Sequence, residues 1–158
     1  MHPLQDILSD APLVTVAPAT STFDAAEKMV KERVGAVLVV DDAGHPQGIF
    51  TERDLMRRVV VPGKDPRETL VQDEMTTDLF CAEPSERIDE TAREMRKRHI
   101  RHLPIVEDGK VIAMLSFRDL LSAHLSEAEN EVEAITSYIQ GGLPEMLEGD
   151  AAEEESEG

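Results

Sequence analysis

The sequence predicts a mixed α/β (α+β) fold in which one β-α-β-β-α unit occurs twice, followed by a C-terminal helix and an acidic tail. The first observation behind this is an internal repeat that sets residues 14–55 on 79–120. At an offset of 66, Pro18 meets Pro84, Ala26 meets Ala92, Met29 meets Met95, Lys31 meets Lys97 and Val40 meets Val106. One residue is then deleted, and at an offset of 65 Gly44 meets Gly109, Arg53 meets Arg118, Asp54 meets Asp119 and Leu55 meets Leu120. The second observation is that each copy switches from helical apolar spacing to β-branched runs. The third is composition: 41% of the 158 residues are hydrophobic but only 3% aromatic, so the core is aliphatic. A unit of about fifty residues is too small to bury such a core alone, and two copies packed sheet to sheet as a pseudo-twofold pair solve that.

Each copy opens with a short strand, Leu13–Val16 or Leu79–Ala82, closed by Ala-Pro or Glu-Pro. A helix follows, with Ser or Thr caps in Thr20-Ser-Thr-Phe-Asp24 and Pro84-Ser-Glu86. Apolar Ala25, Ala26, Met29 and Val30 recur at helical spacing in one copy, and Ile88, Ala92 and Met95 in the other. The runs Ala36–Val40 and Leu103–Val106 are strands, turned by Asp41-Asp-Ala-Gly44 and Glu107-Asp-Gly109 into Gln47–Phe50 and Val111–Leu115. Second helices start at Thr51 and Ser116. The lead-ins Gln5-Asp-Ile-Leu8 and Gln72-Asp-Glu-Met75 also match, and Val61-Pro-Gly-Lys-Asp-Pro66 is a turn-rich linker. Beyond Leu120, apolar residues at 121, 125, 128, 132, 135, 138 and 139 predict a further helix, ended by Gly141-Gly-Leu-Pro144. The expected organisation is residues 3–62, 63–125, a helical extension over 126–147 and a disordered acidic tail over 148–158.

Charge excludes some functions. The net charge is −17, and residues 126–158 hold 11 acidic groups with no Lys or Arg. A nucleic-acid partner is not expected, since such a chain has little counterion release to gain. No run approaches a membrane span and the start lacks a signal peptide, so a cytoplasmic protein is expected. The single Cys81 builds no disulfide framework. No zinc spacing, Gly-rich phosphate loop or Ser-His-Asp order is present, so neither metal nor catalysis is expected.

Two motifs stand out: Thr51-Glu-Arg-Asp54 and Ser116-Phe-Arg-Asp119. They fit helix capping. They equally fit a ligand site, since a carboxylate can accept from both ribose hydroxyls and a strand-to-helix junction offers N–H groups to phosphate. Side chains of Val14, Val16, Phe80, Ile49 and Met114 could flank a purine. Arg101 and His102 are cations before the second copy's central strand, where the first copy has Gly35 and Ala36.

With Gly48-Ile-Phe-Thr-Glu-Arg-Asp-Leu55, Ala113-Met-Leu-Ser-Phe-Arg-Asp-Leu120, Asp73-Glu-Met-Thr76 and Arg101-His-Leu-Pro-Ile-Val106 in order, the chain resembles a tandem pair of cystathionine-β-synthase (CBS) domains, a Bateman module, over roughly residues 3–125. Ala113 departs from the pattern, standing where the first copy has Gly48. The resemblance implies a non-catalytic regulatory sensor of AMP, ADP, ATP, S-adenosylmethionine or a related ligand, with no covalent cofactor. It implies Asp54 and Asp119 on ribose, Thr51 and Ser116 near phosphate, and Arg101 and His102 reaching phosphate. It further implies a disc-like homodimer that regulates an unidentified protein. One dominant site per chain is expected, built on Arg101, His102, Ser116 and Asp119. The alternative is a purely structural dimerisation module without a small-molecule ligand.

Overall fold

We describe residues 2–10 and 13–141 of the computed structural model; the acidic stretch 148–158 lies outside them. The chain divides into two compact units, residues 1–124 and 125–158. The first unit holds both copies. The first copy contains β1 (Thr15–Val16), α1 (Thr22–Glu32), β2 (Ala36–Val40), β3 (Pro46–Thr51) and the single turn α2 (Glu52–Asp54), which widens into a π-helical stretch over Leu55–Val60. The short helix α3 (Val71–Glu74) leads into the second copy, which contains α4 (Ile88–Lys97), β4 (His102–Glu107), β5 (Lys110–Ser116) and α5 (Phe117–Gly141). Among the described residues, no helix is long and apolar enough to cross a membrane.

In the first copy β2 lies between β1, parallel to it, and β3, antiparallel. Successive side chains of a strand face opposite sides. Val37 and Val39 therefore join Val16, Ala25, Met29 and Phe50 beneath α1. Ala36, Leu38 and Ile49 face the other way, against Leu79, Val111 and Met114 of the second copy. Helix α1 starts where the Ser21 hydroxyl accepts from the Asp24 N–H at 3.0 Å, and it ends at Arg33 with φ +57°. His99, the repeat partner of Arg33, has the same left-handed conformation (φ +55°) just beyond α4.

The two lead-ins cross. Leu4, in a 3-10 turn over Leu4–Ile7, is fully buried in the second copy's core with Ile88, Met95, Leu103, Ile105 and Leu120. Val71 is fully buried in the first copy's core. The crossing segments also satisfy helix starts, whose first N–H groups have no partner within the helix. The Thr22 N–H donates to the Thr69 carbonyl at 2.8 Å, and the Ile88 N–H to the His2 carbonyl at 3.2 Å. Helix α4 thus begins at Arg87 without a side-chain cap, and the hydroxyl cap expected around Ser85 is replaced by a backbone acceptor. Ile49 and Thr76 exchange both backbone hydrogen bonds, at 2.9 and 2.8 Å. That approach requires Gly48, where a Cβ would stand 2.7 Å from Met75 Sδ and 2.8 Å from the Thr76 carbonyl oxygen.

Three elements differ from the sequence expectation. The opening strand expected over Leu13–Val16 is β1, Thr15–Val16 alone. Leu79–Ala82 is not a full strand; only Ala82 bridges to Ile105. In the first copy the Leu38 N–H donates to the Val14 carbonyl at 3.0 Å, and the residue matching Leu38 is Pro104, which has no N–H to give. Helix α5 runs unbroken through the expected boundary at 125, because no Gly or Pro stands between Phe117 and Gly141. In the first copy the corresponding helix stops before Val61-Pro-Gly63.

Leu4→Ala should destabilise the protein by about 2–5 kcal/mol, as other buried leucine truncations do. Val30→Ala, at an α1 position 80% exposed, should change stability by less than ~0.5 kcal/mol. Urea unfolding measures both; equal effects would mean that the crossing contributes nothing to stability.

Candidate ligand-binding clefts

The β3–α2 and β5–α5 junctions are built alike. The Thr51 N–H donates to Asp54 Oδ2 at 3.0 Å while the Asp54 N–H donates to Thr51 Oγ1 at 3.1 Å. Ser116 and Asp119 make the same reciprocal pair at 2.9 and 3.1 Å. Both motifs are therefore capping boxes. Capping uses one oxygen of each carboxylate. Asp54 Oδ1 lies 3.7 Å from Arg58 Nε, and Asp119 Oδ1 has no hydrogen-bond partner among the described residues. Asp54 is buried and Asp119 exposed.

Each junction opens on a cleft. The first cleft, about 180 Å³, brings together Thr51, Asp54, Ile49 and Phe80 with Thr76, Leu79 and His99. The second, about 840 Å³, brings together Ser116, Asp119, Met114 and Val14 with Leu13, Arg33 and Arg118. Glu52, Arg101 and His102 line both. Val16 lines neither. Its register with Val39 turns its side chain into the core beneath α1, whereas Val14, two residues earlier, reaches the second cleft.

The shared rim follows from the repeat. The Gly35 carbonyl accepts from the Glu52 N–H at 3.0 Å, and its counterpart, the Arg101 carbonyl, accepts from the Phe117 N–H at 2.7 Å. The backbone role is the same, but Arg101 adds a guanidinium where Gly35 has no side chain. A Cβ on Gly35 would stand 3.2 Å from both Glu52 Oε1 and His102 Nε2, so the missing side chain makes room for the rim. Arg101 and His102, expected to serve the second site alone, therefore border both clefts.

Burial pushes the His102 pKa below its usual value of 6.5; Glu52 opposes the shift, Arg101 adds to it, and Asp119 and Asp54 oppose it. Burial thus favours the neutral imidazole over the cation that the sequence suggested. Burial pushes the Cys81 thiol up, away from a reactive thiolate, and Cys81 lines neither cleft.

The arginines divide sharply. Arg58, Arg87, Arg93 and Arg98 each pair with a carboxylate, and Arg67 lies over the Phe23 ring at 3.7 Å. Among the described residues Arg33, Arg53, Arg57, Arg96, Arg101 and Arg118 form no ion pair. All of these but Arg57 line a cleft or an adjoining groove. That groove, about 260 Å³, is lined by Arg53, Arg96, His99 and Arg101 and shares all of these but Arg96 with the first cleft. At α4, Arg93, Lys97 and Arg98 pair with carboxylates, while Arg96 lines the groove. Sequence reasoning missed Arg33, Glu52 and Arg96. A charge left unpaired is a spatial property, and no local motif marks it.

A tandem pair of β-α-β-β-α units with crossed lead-ins and two junction clefts defines a duplicated α/β architecture. The chain belongs to the CBS domain family, whose model matches residues 4–61 and 71–126. It is 35% identical over 127 residues to the CBS domain-containing protein CBSX3, mitochondrial, of Arabidopsis thaliana, covering 77% of this chain and 61% of that protein. This chain thus spans about three fifths of that relative's length. A putative signal-transduction protein with CBS domains from Burkholderia ambifaria superposes with a TM-score of 0.74 at 33% identity, covering 79% of this chain and 95% of that one. The CBS domain pair of protein MJ0100, solved with 5′-methylthioadenosine and S-adenosyl-L-methionine, gives 0.71 at 25% identity, covering 80% and 98%.

The lowered His102 value has a definite sign. The unfolded chain takes up its proton first, so His102 costs stability as pH falls below about 6.5, until the folded protein is protonated too. Urea unfolding from pH 7.5 to 5 should therefore show a larger acid loss in the wild type than in His102→Gln. Parallel pH profiles would contradict the burial effect.

Proposed function

We propose that this chain is a regulatory module that binds an adenine nucleotide in its clefts and does no chemistry. The observation that carries the proposal is the convergence of unpaired arginines on the two clefts that also present a capped but still accepting carboxylate. In a chain of net charge −17, carboxylates are available to neutralise arginines, yet those at the clefts are left unmatched. Phosphate complements them with charge-assisted, often bidentate hydrogen bonds. Asp54 and Asp119 accept from ribose hydroxyls, and Ile49 with Phe80, or Val14 with Met114, flank the base. S-adenosylmethionine, which carries a sulfonium and no phosphate, fits these cations less well than AMP, ADP or ATP. The adenosine derivatives bound by the MJ0100 pair support an adenosine-type ligand here.

We further propose that the module acts as a homodimer on a regulated protein, with Met56, Val60 and Val61 among its exposed apolar groups. A second reading, a structural module without a ligand, is favoured by one observation: both motifs already serve as complete capping boxes.

Calorimetry with AMP, ADP, ATP, adenosine and S-adenosylmethionine separates the two. Nucleotides should bind more tightly than adenosine. Arg101→Ala should weaken them by about tenfold or more, the loss of one charge-assisted hydrogen bond of ~1.5–3 kcal/mol. Asp119→Asn, which keeps an oxygen for the cap, should weaken the second cleft while leaving the protein folded. Failure of every ligand to bind would leave the structural reading; adenosine binding as tightly as AMP would remove the arginines from the account.

A further inference from the structure

Helix α5 continues beyond residue 126, where the match to the family ends, and from Leu125 onward it belongs to the second compact unit. Five of its apolar residues there, Leu125, Ala128, Val132, Ile135 and Ile139, follow spacings of 3, 4, 3 and 4, with Ala134 and Tyr138 off that row. Those five form the a/d row of a 3.5-residue repeat, flanked on one side by Tyr138. Leu125, Val132, Ile135 and Ile139 are 56%, 62%, 59% and 70% exposed.

We propose that this row is one half of a parallel coiled coil formed with a second copy of the chain. The flanking charges select the occupant and its direction. With Leu125, Val132 and Ile139 at a and Ala128 and Ile135 at d, His124, Glu131 and Tyr138 take g positions, and Glu129 and Thr136 take e positions. In a parallel pair g faces e of the next heptad, so His124 meets Glu129 and Glu131 meets Thr136; no carboxylate faces another. In the antiparallel pair that buries the same row, g faces g and e faces e. Glu131 then meets Glu131 and Glu129 meets Glu129, which like-charge repulsion disfavours. An anionic membrane surface is a poor occupant, because no Lys or Arg follows Arg118. A helix of this length is marginal alone. Its attachment to a body that also self-associates raises the effective concentration of the partner helix. The seam therefore adds an interface and a direction to the proposed homodimer, and it is independent of the nucleotide reading.

The test uses the full chain in a Cys81→Ala background. Val132→Cys places two a-position thiols across a parallel seam and should give a disulfide-linked dimer in high yield on mild oxidation. Glu131→Cys should cross-link at least several-fold less. Val132→Lys with Ile135→Lys should weaken self-association at least tenfold in sedimentation while the protein stays folded. Preferred cross-linking of Glu131→Cys means an antiparallel pair and overturns the proposal. A dimer mass with no cross-link at Val132→Cys overturns the seam but leaves the homodimer. A monomer mass at every concentration overturns both.

Discussion

Everything in this molecule depends on the fact that neither copy can close its own core. A largely aliphatic β-α-β-β-α unit of this size leaves the ends of its helices and one edge of its sheet open. Each copy is completed by a residue that precedes the other, Leu4 for the second and Val71 for the first. The same segments supply carbonyl acceptors to the first N–H groups of α1 and α4. Mutual completion keeps the two sheets face to face through Leu38, Ile49 and Met114. It also holds the two strand-to-helix junctions at fixed places beside their clefts.

The copies stop being alike at the clefts. Gly35 and Arg101 do the same backbone work, yet one leaves space and the other fills it with charge. Gly48 accepts the close approach of Thr76, whereas its counterpart Ala113 carries a methyl group. The first cleft is narrow and tied across by the Ile49–Thr76 pair, and the second is several times larger. Duplication supplied two equivalent junctions, and a handful of substitutions made them unequal.

The duplicated architecture was readable because repeat, periodicity and turn chemistry all pointed the same way, from Pro18 and Pro84 to Asp54 and Asp119. The crossing of the lead-ins was not. Gln5–Leu8 and Gln72–Met75 are visibly alike, but likeness does not say which core each enters. The division of the arginines was equally hidden, since Arg96 and Arg98 sit in one basic run and only space shows that one meets Glu94 and the other a groove. Val16 was misplaced for a simpler reason: on a two-residue strand, the face a side chain takes depends on register with Val39. The shortened opening strand of the second copy was legible in principle, because Pro104 announces a missing donor.

That missing donor has a consequence for motion. The segment carrying Leu79 and Phe80, a wall of the first cleft, is tied to β4 by two backbone hydrogen bonds, both made by Ala82. Segments held by so few bonds open locally at a fraction of the free energy of global unfolding. Amide exchange in this wall is therefore set by local fluctuation, while the buried strand β2 behind it exchanges only when the whole body opens. The smaller cleft can thus admit a molecule wider than its resting mouth without disturbing the core on which it is built.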